Sequence, residues 1–533
     1  MPEKHNTERR ERYTKAVEQL GSKEAPVRLG GVYTLVGLVD EWLEEKNLEY
    51  SERLKEGQVI INNLCAYIRF PFTLASHYDE LSEDNPSLDG IYKDNQQKFY
   101  TDKAEFTSEA DIRLSIIKEI HNRLQSPDKN TPGTWSGFEY DFSGSTFFYP
   151  IDLTNSYYTK PVNFSGSTYQ DEVRFDGSVY KDEADFGSSI YKSWATFDGS
   201  TYTGWVGFNC STYQSWADFS ASTYQDGATF MSSTYQSWAD FSNSTYQSEV
   251  YFSDSTYKGK ADFSGSTYQN EVYFSYSTYQ SEADFSDSTY QGKADFSDST
   301  YRGWADFRNS AYQGRAGFTD STYQSEVYFN NSTYQWAHFS GSTYRGWADF
   351  RNSTYQGRAG FSNSTYNSWA IFSGSTYQDQ ANFSGSTYQD ETNFSGSIFY
   401  QEIYFGEDGD NGSFSRFIGC TPQFYDETNH KNTLFGSPDN DFTVDAKEGY
   451  SINLNSEGLP LDCKFLTSEQ KEYLEHKFQE IEKINNKLLE VEDFKEKAEL
   501  SKKLQALNKE LHKWREEATT VKVEDGAIEN MES

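Results

Sequence analysis

Aromatic residues recur at a fixed interval through the middle of this chain. From Phe142 a Phe or Leu recurs every 11 residues to Phe329; the interval then shortens once, and the series resumes at Phe339 and continues to Phe405. A second aromatic residue lies five places after each of these positions except Phe405, from Phe147 to Phe399. A fixed period repeated about two dozen times predicts a solenoid of stacked units.

Small and aromatic residues alternate with polar residues inside each unit. Ala261 lies two places before Phe263, and Ser266 lies two places before Tyr268. Residues two apart share one side of an extended strand, so the rings and the small residues should face an interior. The dense Gly, Ser, Asn and Asp disfavour helix. The pattern predicts β-structure with five, five and one residues per unit.

A second period of about 22 residues indicates that two units make one coil with four short faces. Two residue types recur with this period: Asp directly before a Phe of the repeat, and Trp three places before such a Phe. The aspartates are Asp218, Asp240, Asp262, Asp284 and Asp306, and the tryptophans are Trp194, Trp216, Trp238, Trp304, Trp347 and Trp369. The shortened interval lies beside Trp336, where it should shorten one corner without changing which side chains face inward. About twelve coils should stack as parallel strands about 4.8 Å apart.

Tandem fives such as Ala-Asp-Phe-Ser-Gly (261–265) and Ser-Thr-Tyr-Gln-Asn (266–270) resemble the pentapeptide-repeat family, in a variant with an extra residue in alternate fives. The resemblance covers about half of the chain and implies a right-handed quadrilateral parallel β-helix with the i and i−2 side chains inside. This chain departs from the family's Leu/Phe mixture by using Phe and Tyr almost throughout. Each buried Tyr hydroxyl then needs a hydrogen-bond partner or access to solvent.

Residues 1–130 are predicted to form an α-helical N-terminal domain. The runs Arg12–Ser22, Val27–Leu35 and Leu64–Arg69 resemble a helical segment that precedes the repeats in many bacterial pentapeptide-repeat proteins. One interpretation is that these helices cap the first coil, whose backbone groups would otherwise be unpaired. A separate binding role is the alternative.

Beyond the β-helix (134–405), residues 406–465 should form an irregular C-terminal cap, and residues 466–518 a helical hairpin or coiled coil. Thr467 and Gln470 have the spacing of a capping box. Two apolar stripes follow, composed of Leu474, Phe478, Ile481 and Leu488, and of Leu500, Leu504, Leu507, Leu511 and Trp514. They predict either an antiparallel hairpin or a coiled coil that forms a homodimer. Residues 519–533 should be a disordered acidic tail.

The formal net charge of −35 over 533 residues argues against direct nucleic-acid binding and favours protein partners with basic surfaces. The four cysteines form no CxxC motif, which favours a reducing, cytoplasmic location. The most apolar run, Val32–Val39, is too short to span a membrane, while peripheral membrane association stays open. The seven histidines are dispersed, and no motif for a metal, cofactor or nucleophile is found. We therefore expect no enzyme, no cofactor and no metal, and we expect His338 to point outward.

Three functions remain. The favoured one is a non-enzymatic scaffold or protein-interaction rod, with the aspartate and tryptophan sets as candidate partner-binding residues. For each set a structural role is the alternative: a solvated face for Asp, and covering of the corner backbone for Trp. The second function is an acidic DNA mimic that binds a DNA-handling protein such as gyrase. The third is ice binding by a Thr row that includes Thr234, Thr245, Thr256 and Thr267.

Overall fold

The computed structural model describes residues 2–125, 131–409, 412–491 and 493–521. The chain divides into a first unit, Met1–Asp262, and a second unit, Phe263–Ser533. Most of the predicted acidic tail lies outside the described residues. Each unit consists of part of a parallel β-solenoid together with helices.

The first unit begins with four long α-helices. They are α1 (Pro2–Leu20), α2 (Ala25–Leu43), α3 (Tyr50–Arg69) and α5 (Gln96–Leu124), with a 3₁₀ turn (Thr73–His77) and the short α4 (Tyr78–Leu81) before α5. Helices α3 and α5 contact the first strands of the solenoid. The side-chain amide of Gln58 donates to the carbonyl of Glu139 at 2.8 Å and accepts from its N–H at 3.0 Å. The helices thereby satisfy backbone groups at this end, as the capping interpretation expects.

Four rows of short parallel strands form the solenoid of the first unit, and we number them as faces 1 to 4. Each row contains one strand from every coil. Face 1 runs from Thr146–Phe147 to Thr256–Tyr257, face 2 from Ile151–Asp152 to Ala261–Asp262, face 3 from Tyr157–Tyr158 to Thr245–Tyr246, and face 4 from Tyr140–Asp141 to Val250–Tyr251. Equivalent residues pair in register, for example Asp218 with Asp240. The predicted parallel β-helix with about 22 residues per coil is confirmed.

The second unit also has four rows of short parallel strands, which we number in the same way. Face 1 runs from Thr278–Tyr279 to Thr387–Tyr388 and Arg416–Phe417, and face 2 from Ala283–Asp284 to Thr392–Asn393. Face 3 runs from Thr267–Tyr268 to Ile398–Phe399, Leu434–Phe435 and Lys464–Phe465, and face 4 from Val272–Tyr273 to Ile403–Tyr404. In two successive coils the corner between faces 3 and 4 straightens, so that Ala311–Gly317 and Thr333–His338 are continuous strands.

This straightened corner is the place where one residue is missing from the repeat. Arg315 pairs with Trp336 after a shift in register. Nevertheless Tyr334 stacks on Tyr312 at 4.8 Å between ring centroids, and Phe339 stacks on Phe318 at 4.9 Å. The prediction that the deletion shortens a corner without changing the inward-facing side chains is confirmed.

The interior is filled by columns of stacked rings. In the first unit Tyr213 lies 4.9 Å from Tyr235 with an interplanar angle of 1°, and Phe219 lies 4.9 Å from Phe241 at 2°. Neighbouring columns meet edge to face, as at Phe219 and Phe230 (5.2 Å, 79°). Both arrangements are favourable, and such pairs contribute about 0.5–1.5 kcal/mol beyond their area burial. Stacking of the rings therefore favours the same in-register alignment of successive coils that the backbone hydrogen bonds between their strands impose.

A ladder of buried serines runs beside the rings and was not predicted. The hydroxyl of Ser342 accepts from the N–H of Ser321 at 3.2 Å and donates to the carbonyl of Phe318 at 2.9 Å. Ser167 makes the same pair of bonds with Ser145 and Phe142. Serine is selected at this inward position because it is small and also satisfies two buried backbone groups.

A residue in the left-handed region of backbone conformation closes one turn in each repeat unit. Glycine, Asn and Asp, which tolerate this conformation best, occupy most of these positions. Asn243, with φ of 57°, is one of them, and Ala221 adopts the same conformation with φ of 54°. The recurring Asn-Ser-Thr sequence is thus a turn signal.

The C-terminal helices, α6 (Ser468–Glu490) and α7 (Phe494–Thr519), form an antiparallel hairpin within the second unit. The ring of Tyr473 stacks on Trp514 at 4.8 Å, and Lys477 pairs with Glu510 at 3.0 Å. The predicted capping box is confirmed: Thr467 and Gln470 exchange side chain-to-backbone hydrogen bonds at 3.2 and 2.9 Å. The apolar stripes pack together with three residues that precede α6, namely Ile398, Leu434 and Leu466. The homodimer stays a prediction.

Candidate interaction face

Face 2 holds all the predicted site residues. In each of its strands a small residue such as Ala217 points inward, so the preceding Trp216 and the following Asp218 lie on the outside. Parallel pairing then stacks equivalent positions: Asp218 on Asp240, Asp240 on Asp262, and in the second unit Asp284 on Asp306. The sequence pattern therefore places the aspartates in one row and the tryptophans in another, both on face 2 of their unit.

The tryptophans of the first unit form a continuous row. The ring centroids of Trp194 and Trp216 lie 6.1 Å apart, and those of Trp216 and Trp238 lie 5.7 Å apart with nearly parallel planes. Trp194 is 53% exposed and Trp238 is 40% exposed, whereas Trp216 between them is half-buried. This tryptophan row is a ridge of apolar surface open to solvent.

The corresponding row of the second unit includes a tyrosine that the sequence analysis did not select. Tyr328 lies 6.4 Å from Trp304 and 6.4 Å from Trp347, and Trp347 lies 6.2 Å from Trp369. Trp369 is 48% exposed, while Trp304 and Trp347 are half-buried. Tyr328 occupies the position that Asp has in the neighbouring coils, so it interrupts the aspartate set and joins the aromatic one.

The aspartates are less exposed than the tryptophans. Asp218 is 9% exposed and Asp306 only 2%, and Asp240, Asp262 and Asp284 are half-buried. Each of the carboxylates described next forms a hydrogen bond or an ion pair with a residue two positions away in the chain. Asp218 and Asp240 each accept from the N–H two residues later at 2.9 Å, and Asp284 does so at 3.0 Å. Asp262 pairs with Lys260 at 3.2 Å. Aspartate is favoured at this position because its short side chain reaches that N–H.

Two arginines on face 2 were missed. Arg308 forms a bidentate ion pair with Asp306, and Arg351 pairs with Asp349 at 2.8 Å. The Arg308 guanidinium also lies 5.1 Å from the ring centre of Tyr328. The signal was present in the repeated Asp-Phe-Arg sequence, because the residue after the Phe lies beside the Asp at the same turn.

In the first unit Asp176 and Asp262 pair with Arg174 and Lys260, whereas Asp198, Asp218 and Asp240 form no ion pair with a Lys or Arg of the described residues. Burial and the neighbouring carboxylates of Asp176 and Asp218 raise the pKa of Asp198 to about 6. Burial also raises the pKa of Asp240, against the hydrogen bonds from Ser242. Burial is the larger cause of both shifts and the neighbouring carboxylates add to it, so negative charge is crowded beside the tryptophan row.

No protein family model, no curated protein and no solved structure matches this chain. Within the described residues no group of three or more His, Cys, Asp or Glu side chains is arranged to hold a metal ion. None of the helices in the described ranges combines the length and apolar character needed to cross a membrane. His338 lies on the outside of face 4, half-buried, and burial lowers its pKa.

Proposed function

We propose that this protein is a non-enzymatic solenoid that acts as a structural scaffold or protein-interaction rod, with face 2 as its docking surface. The observation that supports this proposal is the tryptophan row of the first unit, Trp194, Trp216 and Trp238. Contiguous exposed apolar surface is uncommon on soluble proteins, and tryptophan contributes strongly to protein interfaces.

The electrostatics beside this row favour a partner with a basic surface. Burial, and after it repulsion from the neighbouring carboxylates of Asp176 and Asp218, raises the pKa of Asp198 to about 6. A Lys or Arg side chain brought among them would relieve this repulsion. In the second unit Arg308 and Arg351 pair with Asp306 and Asp349, the equivalents of Asp218, so we assign the basic partner to the part of the first unit around Asp198 and Asp218.

We further infer that the repeat is a variant of the pentapeptide repeat with one extra residue in alternate fives. Supporting features are the four faces per coil and the buried i and i−2 side chains, such as Phe219 and Ala217. The family's non-enzymatic members make an interaction role reasonable for this chain. The DNA-mimic alternative has less support, because Asp218 and Asp306 are buried in their turns instead of projecting as phosphates do.

The experiment is photo-crosslinking of the full chain in cell lysate, followed by identification of the captured proteins. The test variant replaces Trp194 and Trp238 with Ser. The matched control replaces Trp205 and Trp336, which are also exposed, at 39% and 46%, but lie away from face 2: Trp205 precedes a strand of face 4, and Trp336 lies within the continuous strand Thr333–His338. We expect the test variant to lose partners that the control retains. If both variants retain the same partners, face 2 of the first unit is not the docking surface.

A further inference from the structure

A cavity of about 520 Å³ lies inside the second unit, between face 3 of the solenoid and the helical hairpin. Its volume is within the range of about 300–1,000 Å³ typical of small-molecule sites. Side-chain amides are the commonest groups that line it. Five of them come from the solenoid and three from the hairpin, namely Asn309, Gln313, Asn331, Asn352 and Gln356, and Asn485, Gln505 and Asn508.

The three asparagines of the solenoid form a regular array. Each closes a turn in the left-handed conformation, with φ of 57° at Asn309 and 58° at Asn331 and Asn352. They occur in successive coils, so their amides line the cavity wall at the coil spacing of about 4.8 Å. Each amide offers both hydrogen-bond donors and an acceptor.

Two polar atoms in the cavity wall are buried with their hydrogen-bonding capacity unused. Asn508 donates through Nδ2 to Thr333 at 3.1 Å, and Gln356 accepts through Oε1 from Asn485 at 2.8 Å. The remaining atoms, Asn508 Oδ1 and Gln356 Nε2, have no partner among the described residues. Buried polar atoms are normally satisfied, so one free acceptor and one free donor here point to a ligand that supplies both.

The charge of the wall is unusual for this acidic chain. None of the residues that line the cavity in the described part of the chain carries a carboxylate, and Lys509 contributes an ammonium group. The imidazole of His512 accepts a hydrogen bond at Nδ1 from Arg515 at 2.7 Å, and burial lowers its pKa. A neutral His512 with an acceptor at Nδ1 presents Nε2–H as a donor.

We propose that this cavity binds a small hydroxyl-rich molecule of the saccharide class, either neutral or with one negative charge placed at Lys509. A sugar hydroxyl both donates and accepts, as the free atoms of Asn508 and Gln356 require. No exposed aromatic ring in the described lining offers a stacking platform, so binding depends on hydrogen bonds. A few net hydrogen bonds correspond to a dissociation constant on the order of 1 mM.

The test is ligand-observed NMR saturation transfer on the full chain with glucose, N-acetylglucosamine and glucose 6-phosphate as probes. We expect transfer to at least one neutral sugar, and about tenfold weaker binding after Asn508→Ala. Lys509→Met should weaken binding of glucose 6-phosphate by about tenfold and leave neutral sugars unchanged. Lys513→Met is the matched control, since Lys513 is exposed on the same helix and does not line the cavity. Circular dichroism confirms that each variant is folded.

Three outcomes would contradict the proposal. Absence of saturation transfer to all three sugars would mean that the cavity is a water-filled gap between the hairpin and face 3. Sugar binding that is equally strong in the wild-type chain and in Asn508→Ala would place the site elsewhere. Equal weakening by Lys509→Met and Lys513→Met would also contradict the assigned position of the negative charge.

Discussion

The buried tyrosines predict that alkaline pH unfolds the solenoid abruptly. In the second unit twelve tyrosines are no more than 1% exposed, namely Tyr268, Tyr279, Tyr290, Tyr301, Tyr312, Tyr323, Tyr334, Tyr344, Tyr355, Tyr366, Tyr377 and Tyr388. Burial raises their phenol pKa where a shift is resolved, and at Tyr312 the neighbouring Tyr290 and Tyr334 raise it further. The folded state thus holds these protons more tightly than the unfolded chain, in which tyrosine titrates near pH 10.

The sign and size of the effect follow from this difference. A group whose pKa is raised by folding contributes its full stability below the unfolded pKa and loses it as the pH rises towards the folded pKa. Each buried tyrosine therefore costs about 1.4 kcal/mol of unfolding free energy per pH unit above pH 10. The nine of them with a resolved shift together cost about 12 kcal/mol per pH unit, which is as large as the usual total stability of about 5–15 kcal/mol. If coils unfold separately, two tyrosines per coil still cost about 3 kcal/mol per unit.

The assay is a pH titration that follows tyrosinate absorbance and circular dichroism on the same sample. We expect ionisation of the buried tyrosines and loss of the β-signal to coincide in one steep transition within about one unit above pH 10. The double variant Tyr290→Phe and Tyr312→Phe should move the transition to higher pH and make it shallower by about two protons. Gradual ionisation of all tyrosines with an unchanged dichroism spectrum would refute the reasoning.

Three further predictions concern stability at neutral pH, measured as urea unfolding free energies. Ser342→Ala should cost about 1–3 kcal/mol because it removes partners from the buried N–H of Ser321 and the carbonyl of Phe318; a cost no larger than that of a surface Ser→Ala change would contradict the ladder. Ala221→Gly should gain about 0.5–1 kcal/mol because Ala221 has a φ of 54°, and a loss would show that the turn is not strained. Tyr334→Phe removes a hydrogen bond of 3.2 Å to the backbone carbonyl of Phe329 and should cost about 1 kcal/mol more than Tyr290→Phe, whose hydroxyl donates to no backbone carbonyl of the described residues; equal costs would disprove the distinction.

The fold was predictable because one signal is repeated many times. Alternation around Phe263 and Tyr268 indicates which side chains are inside, and the recurrence of Asp in alternate units indicates how units combine into coils. The missing residue beside Trp336 was predictable for the same reason, since inward positions on both sides keep their spacing.

The site was less predictable because it depends on local contacts that the repeat pattern does not distinguish. The pattern marks Asp306 as an outward residue, yet its carboxylate is buried under Arg308 and in its own turn. The cavity beside Asn352 depends on where the hairpin packs, and the heptad pattern of α7 reveals its apolar stripe but not the polar surface that it meets.

The near-identity of two segments in the second unit has an evolutionary consequence. One ten-residue sequence occurs twice, beginning at Tyr301 and again at Tyr344: Tyr-Arg-Gly-Trp-Ala-Asp-Phe-Arg-Asn-Ser. The second copy lies two turns further along the β-solenoid, and one of these turns is shorter by one residue. Recombination between the two copies in misaligned genes would therefore remove or add whole turns, and every ring and serine would meet an equivalent neighbour. The number of turns in this protein can therefore change during evolution without requiring a different fold.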